Sequence, residues 1–330
     1  MIAGKEMVDP YVAGCDWAKQ EAASVFAPAN IALCKYWGKR DRFLNLPVTD
    51  SLSISLGKLG SHCALSLAEA DTYVLNGSAI DKHDPFATRL CAFLDLFRGP
   101  AGYQYHVEAV NTVATAAGFA SSASGFAAVV MALNALHGWS LEPRVLSIFA
   151  RMGSGSACRS LWNGFVHWHA GRQEDGSDCF AEPLASDWDT LRVGLLTVHA
   201  GKKDVSSREA MNRTVATSSL YAGWPQQVQQ DLATQMRAIA AGDFALLGAC
   251  AEQNALAMHA TMMAARPPVL YWHAHSVSVM HTVWEARSEG IPVYFTMDAG
   301  PNVKLLFEQK SRDAVQERFP ALQVTDPWGR

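Results

Sequence analysis

The residues best suited to chemistry fall in five segments. In Thr115-Ala-Ala-Gly-Phe-Ala-Ser-Ser-Ala-Ser-Gly125 a glycine- and serine-rich turn runs directly into an apolar helical stretch. Small residues let backbone N–H groups approach a ligand, and a helix N-terminus carries about half a positive charge, so a phosphate is the natural guest. Ser121 and Ser122 add hydroxyls for phosphate oxygens or Mg2+. The same composition also suits a close-packed helix start, and this segment alone leaves both readings open. No Gly-x4-Gly-Lys-Ser/Thr run occurs, so a P-loop is excluded as the source of nucleotide binding.

In the second segment, Ala27 to Asp41, an apolar strand ends in Lys35, Tyr36, Lys39 and Arg40. Cations beside a phenol can neutralise a polyanion such as a diphosphate, although a lysine-rich turn is also an ordinary solvated surface. The third, Arg151 to Ser160, offers Ser154, Gly155 and Ser156 as a second anion cradle or as helix caps. Arg159, one turn further on, supplies a planar fork for a carboxylate or phosphate. In the fourth, Phe295 to Asn302, Asp298 follows an apolar strand, placed either as a general base or as an Asx-turn residue. The fifth, Lys202 to Arg208, reads as an exposed loop entering a helix capped by Ser206 or Ser207, with Lys202 and Lys203 free to close over phosphates. His167-x-His169 and His273-x-His275 have metal-binding spacing, but no cysteine or carboxylate accompanies either pair in sequence, so no protein-bound transition metal is expected. His259 is expected to be a core or capping histidine.

These segments need a scaffold, and the chain is built to provide one. It has 330 residues, 49% hydrophobic and 18% charged, with a net charge of -4, as in ordinary globular proteins of about two domains. The mild acidity, free of like-charge blocks, argues against nucleic-acid or membrane-surface partners. Seven scattered cysteines without a C-x-x-C pair fit free thiols, and the N-terminus lacks a secretory h-region, so a cytoplasmic location is expected. Residues 109–141 carry no charge, yet only Phe126 to Leu136 is densely apolar, which predicts a buried helix rather than a membrane span.

Strand patterns occur at Ser24 to Cys34, Ser51 to Leu56, His62 to Leu67 and Tyr103 to Val110, with helices at Asp84 to Phe97 and Ser122 to Leu136. After a boundary near Asp187 to Thr190 come a strand (Leu191 to His199), helices from Pro225 to Met263 broken near Gly242-Asp243, and a helix from Pro268 to Arg287. Strands at Ile291 to Met297 and Asn302 to Phe307, a helix at Ser311 to Phe319 and a strand at Leu322 to Thr325 complete the chain. That order predicts an α+β protein whose C-terminal part is a ferredoxin-like split β-α-β sandwich with a helical insertion.

Assembled, the segments resemble the mevalonate diphosphate decarboxylase family of the GHMP kinase superfamily. The resemblance rests on NIALCKYWGKRD (Asn30 to Asp41), TAAGFASSASGFAA (Thr115 to Ala128), GSGSACRSLWNGF (Gly153 to Phe165), KKDVSSREAM (Lys202 to Met211), MHAT (Met258 to Thr261) and YFTMDAGPNVK (Tyr294 to Lys304). It implies a GHMP-kinase-like two-lobed fold, with an ATP-binding N-terminal lobe over 1–188 and a C-terminal lobe over 189–330. It also implies ATP- and Mg2+-dependent decarboxylation of mevalonate 5-diphosphate, and a homodimer. By motif, Asp298 would orient or deprotonate the C3 hydroxyl, Arg159 and Asn30 would hold the C1 carboxylate, and Lys35 would bond within that cluster. Tyr36, Lys39, Ser154, Gly155, Ser156, Ser207, Arg208 and Met211 would surround the substrate. Asn111, Gly118, Ala120, Ser121, Ser122, Lys202 and Lys203 would bind nucleotide, with Ser122 touching Mg2+. The chain departs from the family pattern at Asn111-Thr-Val-Ala-Thr115, which lacks a proline, and at Phe119 in place of leucine. Alternatives are a mevalonate 5-phosphate decarboxylase, a C3 kinase that stops before decarboxylation, and a non-catalytic sensor of ATP and a metabolite, for which Asp298 would be unnecessary.

Overall fold

A computed structural model describes residues 2–112, 121–186, 188–201 and 203–330. Gly118, Ala120 and Lys202 lie outside the described residues, as does the side chain of Ser121.

The chain opens with α1 (Ile2–Val12), a helix over residues to which the sequence assigned no role, whose Met7, Val8 and Val12 are buried in the N-terminal core. Next come β1 (Ala22–Cys34), the short hairpin β2 (Lys39–Asp41) and β3 (Leu46–Pro47), and β4 (Ser51–Ala68). The two strands expected at Ser51 to Leu56 and His62 to Leu67 are thus one strand of 18 residues. Glycine bends it without ending it: Gly57 takes φ +59, and a Cβ on Gly60 would stand 2.1 Å from the Ala27 carbonyl oxygen. β1 follows the bend, shifting register between Pro28 and Asn30.

β5 (Thr72–Leu75) and β6 (Ser78–Ala79) were too short to show a period, whereas α2 (Pro85–Leu94) and β7 (Gln104–Asn111) lie close to expectation. The Asp84 side chain caps α2 by accepting from Phe86 N–H at 2.7 Å. α3 (Ser121–His137) is followed by α4 (Pro143–Gly153), β8 (Phe165–Trp168) and β9 (Ala181–Pro183). The sheet runs β6-β5-β7-β4-β8-β9 with β1 paired to β4, and α3 packs on β1 and β4. No helix among the described residues is long and apolar enough to cross a membrane, so the charge-free stretch ends in a core helix.

The C-terminal part contains β10 (Leu191–Leu196), α5 (Ser207–Thr217), α6 (Trp224–Ala241), α7 (Phe244–Met263), α8 (Ala274–Ser288), β11 (Val293–Met297), β12 (Val303–Glu308), α9 (Arg312–Arg318) and β13 (Gln323–Thr325). Its antiparallel sheet, ordered β11-β12-β10-β13, has the ferredoxin-like arrangement with α5 to α7 inserted. The break between α6 and α7 falls as expected, with Gly242 left-handed at φ 64 and Asp243 capping α7. α8 starts six residues later than expected, at Ala274, because His273 and Ser276 form a capping box there. One core joins the two parts: Ala29, Ile31 and Leu33 of β1 are clustered with Val193, Leu247, Ala251 and Leu306.

Candidate functional site

β1 carries the chain into a cleft of about 460 Å3 between the two sheets. Lys35 follows β1 directly, and its backbone N–H donates to Asn254 Oδ1 on α7 at 2.8 Å, which fixes where the strand stops. Its Nζ donates to Ala32 O at 2.5 Å and to Asp298 Oδ1 at 3.0 Å. Asp298 sits in the β11–β12 connection, and Lys304 Nζ lies 3.3 Å from its other oxygen. Both lysine side chains are almost wholly buried, while that of Asp298 keeps 27% exposure toward the cleft.

Burial by itself would raise the Asp298 pKa, but Lys35 and Lys304 overcome it and hold the carboxyl well below the usual range. Burial pushes Lys35 down to about 8, with Asp298 opposing and Lys304 and Arg159 adding to the fall. The His259 ring, pushed down to about 3 chiefly by burial, donates from Nε2 to the Asp298 carbonyl at 3.1 Å and so anchors the loop as a core histidine. The Asx-turn reading of Asp298 is corrected, because its carboxylate is directed to two ammonium groups, Lys35 at the end of β1 and Lys304 on β12.

Facing this pair, Arg159 is 3% exposed. Its Nη1 donates to Ser51 Oγ at 2.8 Å and its Nε to Asn30 Oδ1 at 3.3 Å, and Trp168 lies beneath it at 5.5 Å. Asn30 is itself tied to Ser156 O and Ser160 Oγ. Among the described residues no carboxylate forms an ion pair with this buried guanidinium, although burying an unmatched cation is costly. An anionic guest would complete it.

A second cationic wall lies alongside. Lys39 Nζ donates to Asn45 Oδ1 at 2.5 Å, and burial, then Arg208, Arg89 and Arg42, push its pKa down to about 8. Arg89, from α2, is pushed to about 10 by burial and by Arg208. Tyr36 Oη is buried without a hydrogen-bond partner among the described residues, and Gly155 leaves its ring room: a Cβ there would stand 2.8 Å from the phenol oxygen. Clustered cations, an unsatisfied phenol and the Ser154-Gly155-Ser156 turn make a site for a polyanion.

Ser122, Ser154, Ser156, Ser207, Arg208 and Met211 line the same cleft, as do Asn30, Lys35, Tyr36, Lys39, Arg159, Lys203 and Asp298. Ser206, not Ser207, caps α5, which leaves the Ser207 hydroxyl to accept from Lys203 Nζ at 3.3 Å. Lys203 also donates to the Ala299 carbonyl, and burial lowers it to about 8. Asn111, at the end of β7, accepts from Ser61 Oγ at 2.6 Å and lies outside the described cleft lining.

The sequence reading missed Arg89, Asn45 and Lys304. Arg89 was the lone cation on the otherwise apolar α2, and Lys304 the lone cation of an apolar strand, which are signals of a polar task within a core. The histidine reading also needs correction. His167 and His169 do have carboxylates beside them, Asp50 and Glu182, brought in by β4 and β9.

Comparison with known proteins gives a consistent result. Residues 27–181 match the family model "Diphosphomevalonate decarboxylase-like N-terminal domain", and residues 193–325 match "Mevalonate 5-diphosphate decarboxylase C-terminal domain". Diphosphomevalonate decarboxylase mvd1 of Aspergillus fumigatus is 38% identical over 324 residues, covering 91% of this chain and 80% of its own. The crystal structure of mevalonate diphosphate decarboxylase from Staphylococcus aureus superposes with a TM-score of 0.88 at 36% identity, over 93% of this chain and 95% of that one. A structure described as MDDEF in complex with MVAPP, AMPPCP and magnesium superposes at 0.86 with 40% identity, over 92% and 96% of the two chains.

Proposed function

The chain belongs to the diphosphomevalonate decarboxylase family, and from that premise we infer that it converts mevalonate 5-diphosphate and ATP to isopentenyl diphosphate, ADP, phosphate and CO2. The fold is the GHMP-kinase-like α+β fold of those relatives. The lobe boundary is proposed near residues 188–189, between the two matched segments.

Hydroxide does not leave a tertiary carbon at neutral pH, so the C3 hydroxyl is first phosphorylated. Phosphate then departs from C3 with the C–O electron pair, and the bond between C2 and the C1 carboxylate supplies the electrons of the new C2=C3 alkene as CO2 leaves. Asp298 is assigned to accept a hydrogen bond from the C3 hydroxyl and aim its oxygen at the terminal phosphoryl group. Held ionised by two lysines, it is a weak base, so its contribution is orientation and only late proton acceptance, as suits a loose phosphoryl-transfer transition state. Lys35 and Lys304 position it. Arg159 and Asn30 are assigned to the C1 carboxylate, and Lys39, Tyr36, Arg208, Ser207, Met211 and the Ser154–Ser156 turn to the substrate, mainly its diphosphate. The observation that carries the reading is Asp298, set between Lys35 and Lys304, sharing one cleft with Arg159 and the Lys39–Arg208 cations.

For the nucleotide, Ser122 and Lys203 are the candidates that line the cleft, joined from the motif by Asn111, which stands outside that lining, and by Gly118, Ala120, Ser121 and Lys202. Hydroxyl and phosphate oxygens are the hard ligands Mg2+ takes, and the cleft fits it in that sense; bound there, Mg2+ neutralises charge developing on the phosphates. The crowding of Lys39, Arg89 and Arg208 favours a diphosphate over a monophosphate. A cytoplasmic homodimer completes the reading, with support for the location from seven free cysteines. The test compares CO2 release from mevalonate 5-diphosphate, the 5-phosphate and free mevalonate, with and without ATP and Mg2+. Release only from the diphosphate, and only with both, is expected; equal turnover of the monophosphate would overturn the substrate assignment.

A further inference from the structure

Beside β8 lies a cluster that decarboxylation does not use. Successive residues of a strand face opposite sides, so with Trp168 turned inward onto Tyr36, whose ring is 4.8 Å away, His167 and His169 share the other face. There His167 Nε2 lies 3.0 Å and His169 Nδ1 4.0 Å from the same oxygen, Oδ2 of Asp50. The second carboxylate oxygen of Asp50 accepts from Ala170 N–H at 2.8 Å, and Glu182 Oε1 lies 2.7 Å from His169 Nε2. We propose that His167, His169 and Asp50 form a binding site for a borderline divalent transition-metal ion of the Zn2+ class, separate from the Mg2+ that accompanies ATP.

Three features support this. The donor atoms all lie within 4.8 Å of one another. A tetrahedral zinc site, with ligand distances of about 2.0–2.2 Å, places its donors about 3.3 Å apart, a value bracketed by the 3.0 and 4.0 Å separations here. Next, Glu182 can only accept from His169, so Nε2 carries a proton, and in the tautomer with a bare Nδ1 a lone pair stands on the side toward Asp50, while a metal ion would take the place of the proton that His167 Nε2 shares with Asp50. That lone pair and the Asp50 oxygen face each other across a gap, and a cation between them turns repulsion into ligation. A carboxylate on the far nitrogen of a histidine is also the usual outer support of a zinc ligand, fixing its tautomer and orientation. Finally, two imidazoles and one carboxylate suit Zn2+ rather than Mg2+ or Ca2+, which prefer oxygen. Side-chain exposures of 11% for His167, 32% for His169 and 36% for Asp50 leave solvent a route in and room for water as fourth ligand. Such an ion clasps the start of β4 to β8, next to Ser51, the hydroxyl that receives Arg159.

The test uses the full-length protein, stripped with a chelator and titrated with Zn2+ and with Co2+. Expected are one equivalent bound, a rise of a few degrees in Tm, and Co2+ visible bands without a thiolate charge-transfer band. His169→Gln should abolish this uptake, and Glu182→Gln should weaken it about 10–100-fold, both with unchanged decarboxylase turnover in metal-free protein with ATP and Mg2+. The proposal is overturned by a wild-type protein that takes up no stoichiometric metal, by uptake surviving His169→Gln, or by a Co2+ spectrum showing ligation by any of the seven cysteines. The wild-type spectrum decides even if a variant fails to fold, and none of these outcomes depends on which phosphorylated substrate the enzyme uses.

Discussion

At the scale of single residues, the site is organised by charges that would be costly if left alone. Asp298 stays ionised because two buried ammonium groups surround it, and those groups are tolerable because Asp298 is there. Asp298→Ala should therefore reduce kcat by at least about 10³-fold while nucleotide affinity is retained; near-normal turnover would remove it from the chemistry. Its depressed pKa adds a constraint. Asp298 remains a carboxylate from about pH 5 to 8, so kcat/KM should show no acid limb from this group. An acid limb that vanished in Asp298→Asn would contradict the lysine clamp. Alongside Lys35 and Lys203, which burial lowers to a similar value, Lys39 contributes to the alkaline side. Its pKa in the free enzyme is about 8 against an ordinary 10.5, so substrate affinity should fall as pH rises through 8. Stability has the opposite sign: between 8 and 10.5 the unfolded chain binds more protons, so rising pH relieves the burial penalty and favours the fold. Lys39→Ala should raise KM for the diphosphate substrate with kcat little changed, as expected for uniform binding; a loss confined to kcat would contradict the assignment.

Elements decide how closely these residues approach. β1 reaches the cleft only because β4 bends at Gly57 and Gly60, which lets β1 shift register at the bulge before Asn30. At Gly60 a methyl group would meet the backbone of Ala27 and Pro28, which have no free rotor to move aside. Gly60→Ala should thus cost about 2–3 kcal/mol, read as a lower urea midpoint at constant m. A neutral substitution would mean that the bulge is not needed. The two short strands and the start of α8 escaped the sequence pattern for a related reason: they are set by pairing and capping partners, not by a hydrophobic period long enough to read.

The whole molecule is held together across the lobes. β1 residues share a core with β10, β12 and α7, and the C-terminal segment returns to the first lobe, with Thr325 Oγ1 donating to Leu56 O at 2.8 Å and Gly164 N–H to Pro327 O at 2.9 Å. A chain cut near residue 189 should give halves that do not unfold cooperatively, whereas the intact protein should give one calorimetric transition. Two transitions, each reproduced by an isolated half, would show that the shared core is not decisive. The Lys35–Asp298 ion pair belongs to this scale too, since the two residues are 263 positions apart and meet only when both lobes dock.

From the sequence alone, the α+β class, the ferredoxin-like order of the second lobe, the family and most of the cleft-lining residues were legible, because hydrophobic period, turn chemistry and motif spacing are local. Tertiary structure alone decided the partnerships between distant groups: that Lys35 reaches Asp298, that Arg89 joins the cationic wall, and that Asp50 stands beside His167 and His169. Electrostatic energy depends on distance in space, and only the closed sheets convert separations of a hundred or more residues into 3 Å contacts.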